Sequence, residues 1–143
     1  MMHLKIIKWI AQRPIFEDKA SSKIIGYYSL RTNGVGYIDK KQHNKIFAIP
    51  VIEMSEFAID IAYQGKGIGK NVFNYFVISH AKEILSIVGC QAILVYAFHP
   101  NAIRFYKKLG FYELEIKDDL ITIQDDFASG CKTFLLPLIK WYC

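Results

Sequence analysis

The stretch "AYQGKGIGKN", Ala62 to Asn71, sets three glycines at alternate positions behind a glutamine and threads two lysines among them. Glycine leaves the backbone bare, so amide N–H groups around Gly65, Gly67 and Gly69 can face one anion together. Lys66 and Lys70 add positive charge, with a solvated lysine as the ordinary alternative for each. A P-loop needs Gly, four residues, then Gly-Lys-Ser/Thr, and here Asn71 follows Lys70. A dinucleotide fingerprint needs G-x-G-x-x-G, and this loop is one residue too short for it. Glu83 falls inside a helical pattern and too early to meet a ribose. Two readings remain: a pyrophosphate cradle at the start of a helix, or a plain tight turn.

Other residues have chemistry available to them. Glu53 and Glu56 lie on a strand-like stretch, where faces alternate, and could accept a proton, although a surface position is preferred for both. A lone histidine such as His99 is more often structural or exposed than catalytic. His3, His43 and His80 have no ligand-like spacing with any Cys or carboxylate, so no metal site is expected.

The pattern along the chain says what would hold these residues. "LKIIKWIAQ" reads as a short amphipathic helix with Leu4, Ile7 and Ala11 on one side, ended by Pro14 and "EDKASSK". "KIIGYYSLRT" reads as a strand, "NGVG" as a turn and "QHNK" as a polar loop. "FAIPVIEMSEFAIDI" is a long strand-like stretch interrupted at Pro50. The clearest helix is "GKNVFNYFVISHAKEILSIVG": Val72, Phe73, Phe76, Val77, Ala81, Ile84, Leu85 and Val88 repeat at three and four, and Gly89 is a natural stop. "QAILVYAF" is a buried strand by its continuous apolar run. "NAIRFYKKLG" is a second helix, capped by Asn101 and ended by Gly110, with Tyr106 packing beside Ile103 and Leu109. "FYELEI" and "CKTFLLPL" are further strands. The order predicts a mixed α/β sheet with at least one parallel crossover.

Composition bounds the rest. A chain of 143 residues, 52% hydrophobic and 22% charged, has the size and apolar content of a single domain with its own core. No apolar run approaches the roughly 20 residues that span a bilayer, and the N-terminus lacks a signal-peptide core. The expectation is a soluble, untargeted, cytoplasmic protein with no membrane partner. Cys90, Cys131 and Cys143 are odd in number and widely spaced, which fits a reducing compartment, with core packing for Cys90 and Cys131. A net charge of +5 suits phosphorylated cofactors or nucleic acid, and equally a lysine-rich surface that keeps the chain in solution.

Taken together, the loop Gln64-Gly65-Lys66-Gly67-Ile68-Gly69, and then Asn101-Ala102, Phe105-Tyr106 and Gly110-Phe111, resemble the GNAT superfamily of N-acetyltransferases. The resemblance covers roughly Glu53 to Leu138, within one domain spanning residues 1–143. It implies an α/β GNAT-type mixed sheet with two parallel strands, "EFAID" and "AILVYAF", splayed around acetyl-CoA as co-substrate. Backbone groups of Phe57, Ala58 and Ile59 would pair with the pantetheine arm like an added strand. Gln64, Gly65, Lys66, Gly67, Ile68, Gly69 and Lys70 would hold the pyrophosphate. Asn101 would reach the pantetheine or the phosphates, alongside its reading as a helix cap. Tyr106 would give the leaving thiolate its proton.

Within the superfamily, the stretches "IIGYYSL", "IPVIEMSEFAID" and "ILVYAFHPNAIRFYKKLGF" resemble the toxin branch of bacterial toxin–antitoxin pairs. That resemblance implies the amine of aminoacyl-tRNA as acceptor, an antitoxin protein as partner and pairing into a homodimer. The alternatives are a protein or small-molecule amine acetyltransferase, and a weakly active acetyl-CoA-binding relative. The family leads in with an opening strand and two helices, more chain than stands ahead of Glu53. The N-terminus therefore reads as shortened, with "LKIIKWIAQ" as what remains of the second helix.

Overall fold

The computed structural model describes residues 4–10, 13–114, 120–122 and 131–138. Ala11, Glu115 and Ile116 of "FYELEI", His3 and Cys143 lie outside the described residues.

The N-terminal stretch is a strand and not the expected helix. β1 (Leu4–Ile10) pairs antiparallel with β2 (Arg13–Asp18), and the register shifts between Ile6 and Lys8. The spacing that imitated a helical turn belongs to a strand carrying a bulge. Ile, Trp and Ile favour extended backbone, and pairing supplies the hydrogen bonds that a short isolated helix would lack.

"NGVG" is not a turn either. β3 (Ile24–Asp39) runs straight through it. Asn33 spends its side-chain oxygen on the Gly34 N–H at 2.7 Å, and Val35, Gly36 and Tyr37 pair with β7 (Leu120–Thr122), so the ladder outweighs the local turn preference. The chain reverses in "QHNK" as expected, through a 3₁₀ turn at Lys40–Gln42 and then His43 and Asn44 in the left-handed region. β4 (Lys45–Ile59) is continuous across Pro50. Proline lacks an N–H, but its carbonyl still accepts from the Gln91 N–H at 2.9 Å.

β4 and β5 (Ala92–Ala97) are parallel, with Val51, Ile52 and Glu53 opposite Ala92, Ile93 and Leu94. Parallel neighbours need a crossover, and one long helical stretch provides it. It is wound as α1 (Ile68–Val72), a π-turn over Phe73–Val77, and α2 (Ile78–Ile87). α3 (Pro100–Leu109) follows β5, then β6 (Tyr112–Glu113) and β8 (Lys132–Pro137), which pairs antiparallel with both β5 and β6. The strand order is β1-β2-β3-β4-β5-β8-β6, with β7 on β3, which is the expected mixed α/β sheet.

The chain divides into two compact units, Met1–Arg31 with Met54–His80, and Thr32–Glu53 with Ala81–Cys143. The first is built on Phe16, Ile25, Tyr28, Val72, Phe73 and Val77, all buried. Each such side chain contributes about 1.5–3 kcal/mol on burial. Phe16 stacks on Tyr28 at 5.4 Å between ring centroids and meets Phe76 at 5.3 Å, so the helical stretch is held by aromatic contacts from β2 and β3. The second has a core of Val35, Val51, Ala92, Leu94 and Leu135, with Ile49, Tyr96 and Leu114 against it. Cys90 is buried and Cys131 is half-buried.

Candidate active site

In the first unit, β4 ends at Ile59 and a tight, polar loop carries the chain to α1. Asp60 accepts from the Ala62 N–H at 2.8 Å, capping a 3₁₀ turn over Ile61–Tyr63. The Gln64 side chain donates from Nε2 to the Ile59 carbonyl at 2.8 Å, tying the loop back to the end of its own strand. Gly65 and Gly67 then both adopt φ +76°, the left-handed region that side-chain-bearing residues avoid. A Cβ at either would meet nothing within 4 Å, so backbone angle and not crowding is what requires glycine there.

Gly67 is the N-cap of α1 and supplies no side-chain cap. The first intrahelical bond runs from Asn71 N–H to the Gly67 carbonyl at 3.2 Å. Helix geometry therefore gives the N–H groups of Ile68, Gly69 and Lys70 no acceptor within the helix. They form a set of donors at the positive end of the helix dipole. Gly65, Lys66 and Gly67 are exposed, Ile68 is buried and anchors the turn, and Lys70 is exposed. Lys66 Nζ lies 6.0 Å from the centre of the Tyr63 ring. This arrangement can hold an anion such as a diphosphate. Phe57, Ala58 and Ile59 precede it, half-buried at the end of β4. Gly26 of β3 lies so close to them that a Cβ there would collide with the Ala58 carbonyl.

In the second unit, α3 carries the other two predicted residues. Its N-cap is His99 and not Asn101: His99 Nδ1 accepts from the Asn101 N–H at 3.1 Å. The reason is Pro100, whose fixed φ and missing N–H suit the first helical position and so place the cap at His99, two residues upstream of Asn101. Asn101 uses its side-chain oxygen to accept from Arg104. Gly110 ends the helix in the left-handed region, at φ 101°, as expected.

Tyr106 lies on the inner side of α3, 8% exposed, with Phe105 and Phe111 each edge-on to it at 5.4 Å. Burial pushes its phenol up to about 12. At neutral pH it is therefore held as O–H, a proton or hydrogen-bond donor.

The carboxylates divide. Glu53 is 1% exposed, which corrects the expectation of a surface position. It stands opposite Leu94 in the parallel ladder, and a strand fully covered on both faces can bury a carboxylate that sequence alternation alone would leave in water. Glu56 is half-buried and accepts from Ser29 Oγ at 3.4 Å, while Ser29 also shares a 2.7 Å hydrogen bond with Ser55. The Ser29–Ser55 contact was invisible in the sequence, because it depends on the β3–β4 register. Among the described residues no group of three or more His, Cys, Asp or Glu could hold a metal ion, and no helix is long and apolar enough to cross a membrane.

The acetyltransferase (GNAT) domain family model matches residues 9–113. A tRNA-acetylating toxin of Mycobacterium tuberculosis (strain ATCC 25618 / H37Rv) is 30% identical over 92 residues, covering 62% of this chain and 55% of that protein. An uncharacterised N-acetyltransferase of Methanocaldococcus jannaschii is 29% identical over 112 residues, covering 76% of this chain and 45% of that one. The chain thus spans about half the length of the curated relatives it matches. Among solved structures, a tyrosine-to-phenylalanine mutant of the toxin AtaT superposes with a TM-score of 0.66 at 21% identity, over 87% of this chain and 66% of that one. The same toxin has been solved with acetyl-CoA and the C-terminus of its antitoxin AtaR, and with acetyl-methionyl-tRNAfMet.

Proposed function

Because the chain belongs to the GNAT acetyltransferase family, we propose that it moves an acetyl group from acetyl-CoA to a primary amine, and that this amine is that of an aminoacyl-tRNA. The observation that carries the first half is the start of α1. Two glycines at φ +76°, an N-cap without a side-chain bond, and three helix N–H groups without helical acceptors make a cradle for a diphosphate.

Acetyl-CoA supplies an activated thioester carbonyl when bound. The amides of Ile68, Gly69 and Lys70, with the Lys66 and Lys70 side chains, bind the pyrophosphate oxygens. Gln64 holds the loop in place through its bond to Ile59. The backbone of Phe57, Ala58 and Ile59 pairs with the pantetheine arm as an added strand. Asn101 contacts the same arm or the phosphates. The Tyr106 O–H gives its proton to the departing sulfur as the new N–C bond forms and the C–S bond breaks. The Glu53 carboxylate, or a water, takes the first proton, which the ammonium must lose before it attacks, and the second proton, shed by the nitrogen as the amide forms, restores the Tyr106 O–H.

The acceptor reading is supported by the 30% identity to a tRNA-acetylating toxin and by the net charge of +5, which suits a polyanionic substrate. It carries with it an antitoxin protein as partner and pairing of two chains. The test is a transfer assay with acetyl-labelled acetyl-CoA and a whole bacterial extract, separated into RNA, protein and small molecules. Label in RNA, released by mild base together with the amino acid, is the expected result. Label only in protein or small molecules removes the tRNA reading and identifies the acceptor class instead.

A further inference from the structure

The C-terminal end of β5 carries a side chain that packing does not explain. Phe98 follows the buried Ala97 directly and is 71% exposed. In open α/β sheets, ligands gather at the carboxyl ends of parallel strands, and β5 is one of the parallel pair. His99 comes next. Its Nδ1 accepts from the Asn101 N–H at 3.1 Å, and the residue is exposed. α3 then presents Arg104, Lys107 and Lys108, all exposed, and contains no carboxylate. Arg104 is oriented by its bond to Asn101. Lys108 lies one turn further along the helix, about 6 Å away. By contrast Lys132, opposite Ala97 in the ladder, is tied to Glu113 at 3.5 Å.

We infer that Phe98 is a stacking platform for a base at the acceptor end of the tRNA, with Arg104, Lys107 and Lys108 tracking the phosphates of the same strand. The inference rests on the aminoacyl-tRNA reading above and adds the surface that would recognise that substrate. An exposed aromatic ring at the entry to a helix that carries exposed cations is what single-stranded nucleic acid binds: every base has a face to stack, and every phosphate has a charge to neutralise. Acetyl-CoA offers an adenine too, but its diphosphate is already provided for by the loop before α1. A row of cations along a helix exceeds what its remaining phosphate could use.

The test uses the full chain, as wild type, Phe98→Ala, Phe98→Trp and Lys108→Gln. KM is measured separately for aminoacyl-tRNA and for acetyl-CoA, and filter binding of uncharged tRNA is followed against salt. Phe98→Ala is expected to raise KM for aminoacyl-tRNA about tenfold, the size of one lost base stack, with KM for acetyl-CoA unchanged. Phe98→Trp is expected to keep the wild-type value. Lys108→Gln is expected to lower the slope of log affinity against log salt by about one. An unchanged KM for aminoacyl-tRNA in Phe98→Ala, or a rise confined to acetyl-CoA, would overturn the inference. If the wild type acetylates no tRNA, the reading of the acceptor fails by itself. The binding arm still decides the surface: weaker tRNA binding by Phe98→Ala upholds it, and equal binding removes it.

Discussion

The phenol of Tyr28 is hydrogen-bonded to Nδ1 of His80, joining the first part of β3 to the helical stretch that begins at the glycine loop. Tyr28 is fully buried, and its ring meets the imidazole at 5.8 Å between centroids. The π-turn over Phe73–Val77 comes just before His80. One extra residue in a turn rotates everything after it about the helix axis, so the π-turn sets which side of the helix His80 occupies.

Removing that hydroxyl is expected to cost about 1 kcal/mol, because it deletes one hydrogen bond and strands a partner that is itself part-buried. Urea unfolding of Tyr28→Phe, His80→Ala and the double variant checks it. The sum of the two single losses should exceed the loss in the double variant; strict additivity would mean that the contact contributes nothing.

Two glycines separate crowding from backbone strain. Gly26→Ala puts a methyl group against the Ala58 carbonyl and is expected to destabilise by about 2 kcal/mol, with the melting temperature lowered whether or not acetyl-CoA is present. Gly67→Ala has open space and meets only the cost of φ +76°, about 1–2 kcal/mol. Its larger effect is expected on the ligand. The stabilisation by acetyl-CoA seen in thermal melts should shrink by the equivalent of a tenfold loss of affinity. An undiminished shift would place the diphosphate elsewhere.

Tyr106→Phe is expected to lower turnover about 100-fold or more while leaving the acetyl-CoA thermal shift intact, since it removes a proton donor and little else. Unchanged turnover would take Tyr106 out of the mechanism.

The same phenol makes stability depend on pH at the alkaline end. Burial raises it from 10.0 in the unfolded chain to about 12 in the fold. The native state therefore holds the proton more tightly. The contribution is fully present below pH 10 and is lost as pH rises from there to about 12. Tyr28, raised by burial as well, acts in the same direction. Urea midpoints measured across that window should fall for the wild type and fall less for Tyr106→Phe. Turnover should show no loss from Tyr106 ionisation below pH 10.

Much of the candidate site was legible because its signals are local. Left-handed backbone favours glycine on local grounds alone, so Gly65, Gly67 and Gly110 announced their turns without any knowledge of their neighbours. The apolar spacing from Val72 to Val88 and the unbroken run in "AILVYA" needed only the periods of helix and strand. Gly110 also marked where α3 ends, whereas the start read at Asn101 lies inside the helix and the cap is His99.

What only the tertiary structure decided are the features set by partners distant in the chain. Leu4–Ile10 became a strand because Arg13–Asp18 was there to pair with it, and "NGVG" stayed extended because β7 lies beside it. Local preferences differ by well under 1 kcal/mol per residue, so a ladder of hydrogen bonds and a buried face override them. Glu53 looked like a surface carboxylate, and the exposure of Phe98 could not be read from its apolar neighbours. Burial belongs to how strands and helices stack, and that is written in no single stretch of the sequence.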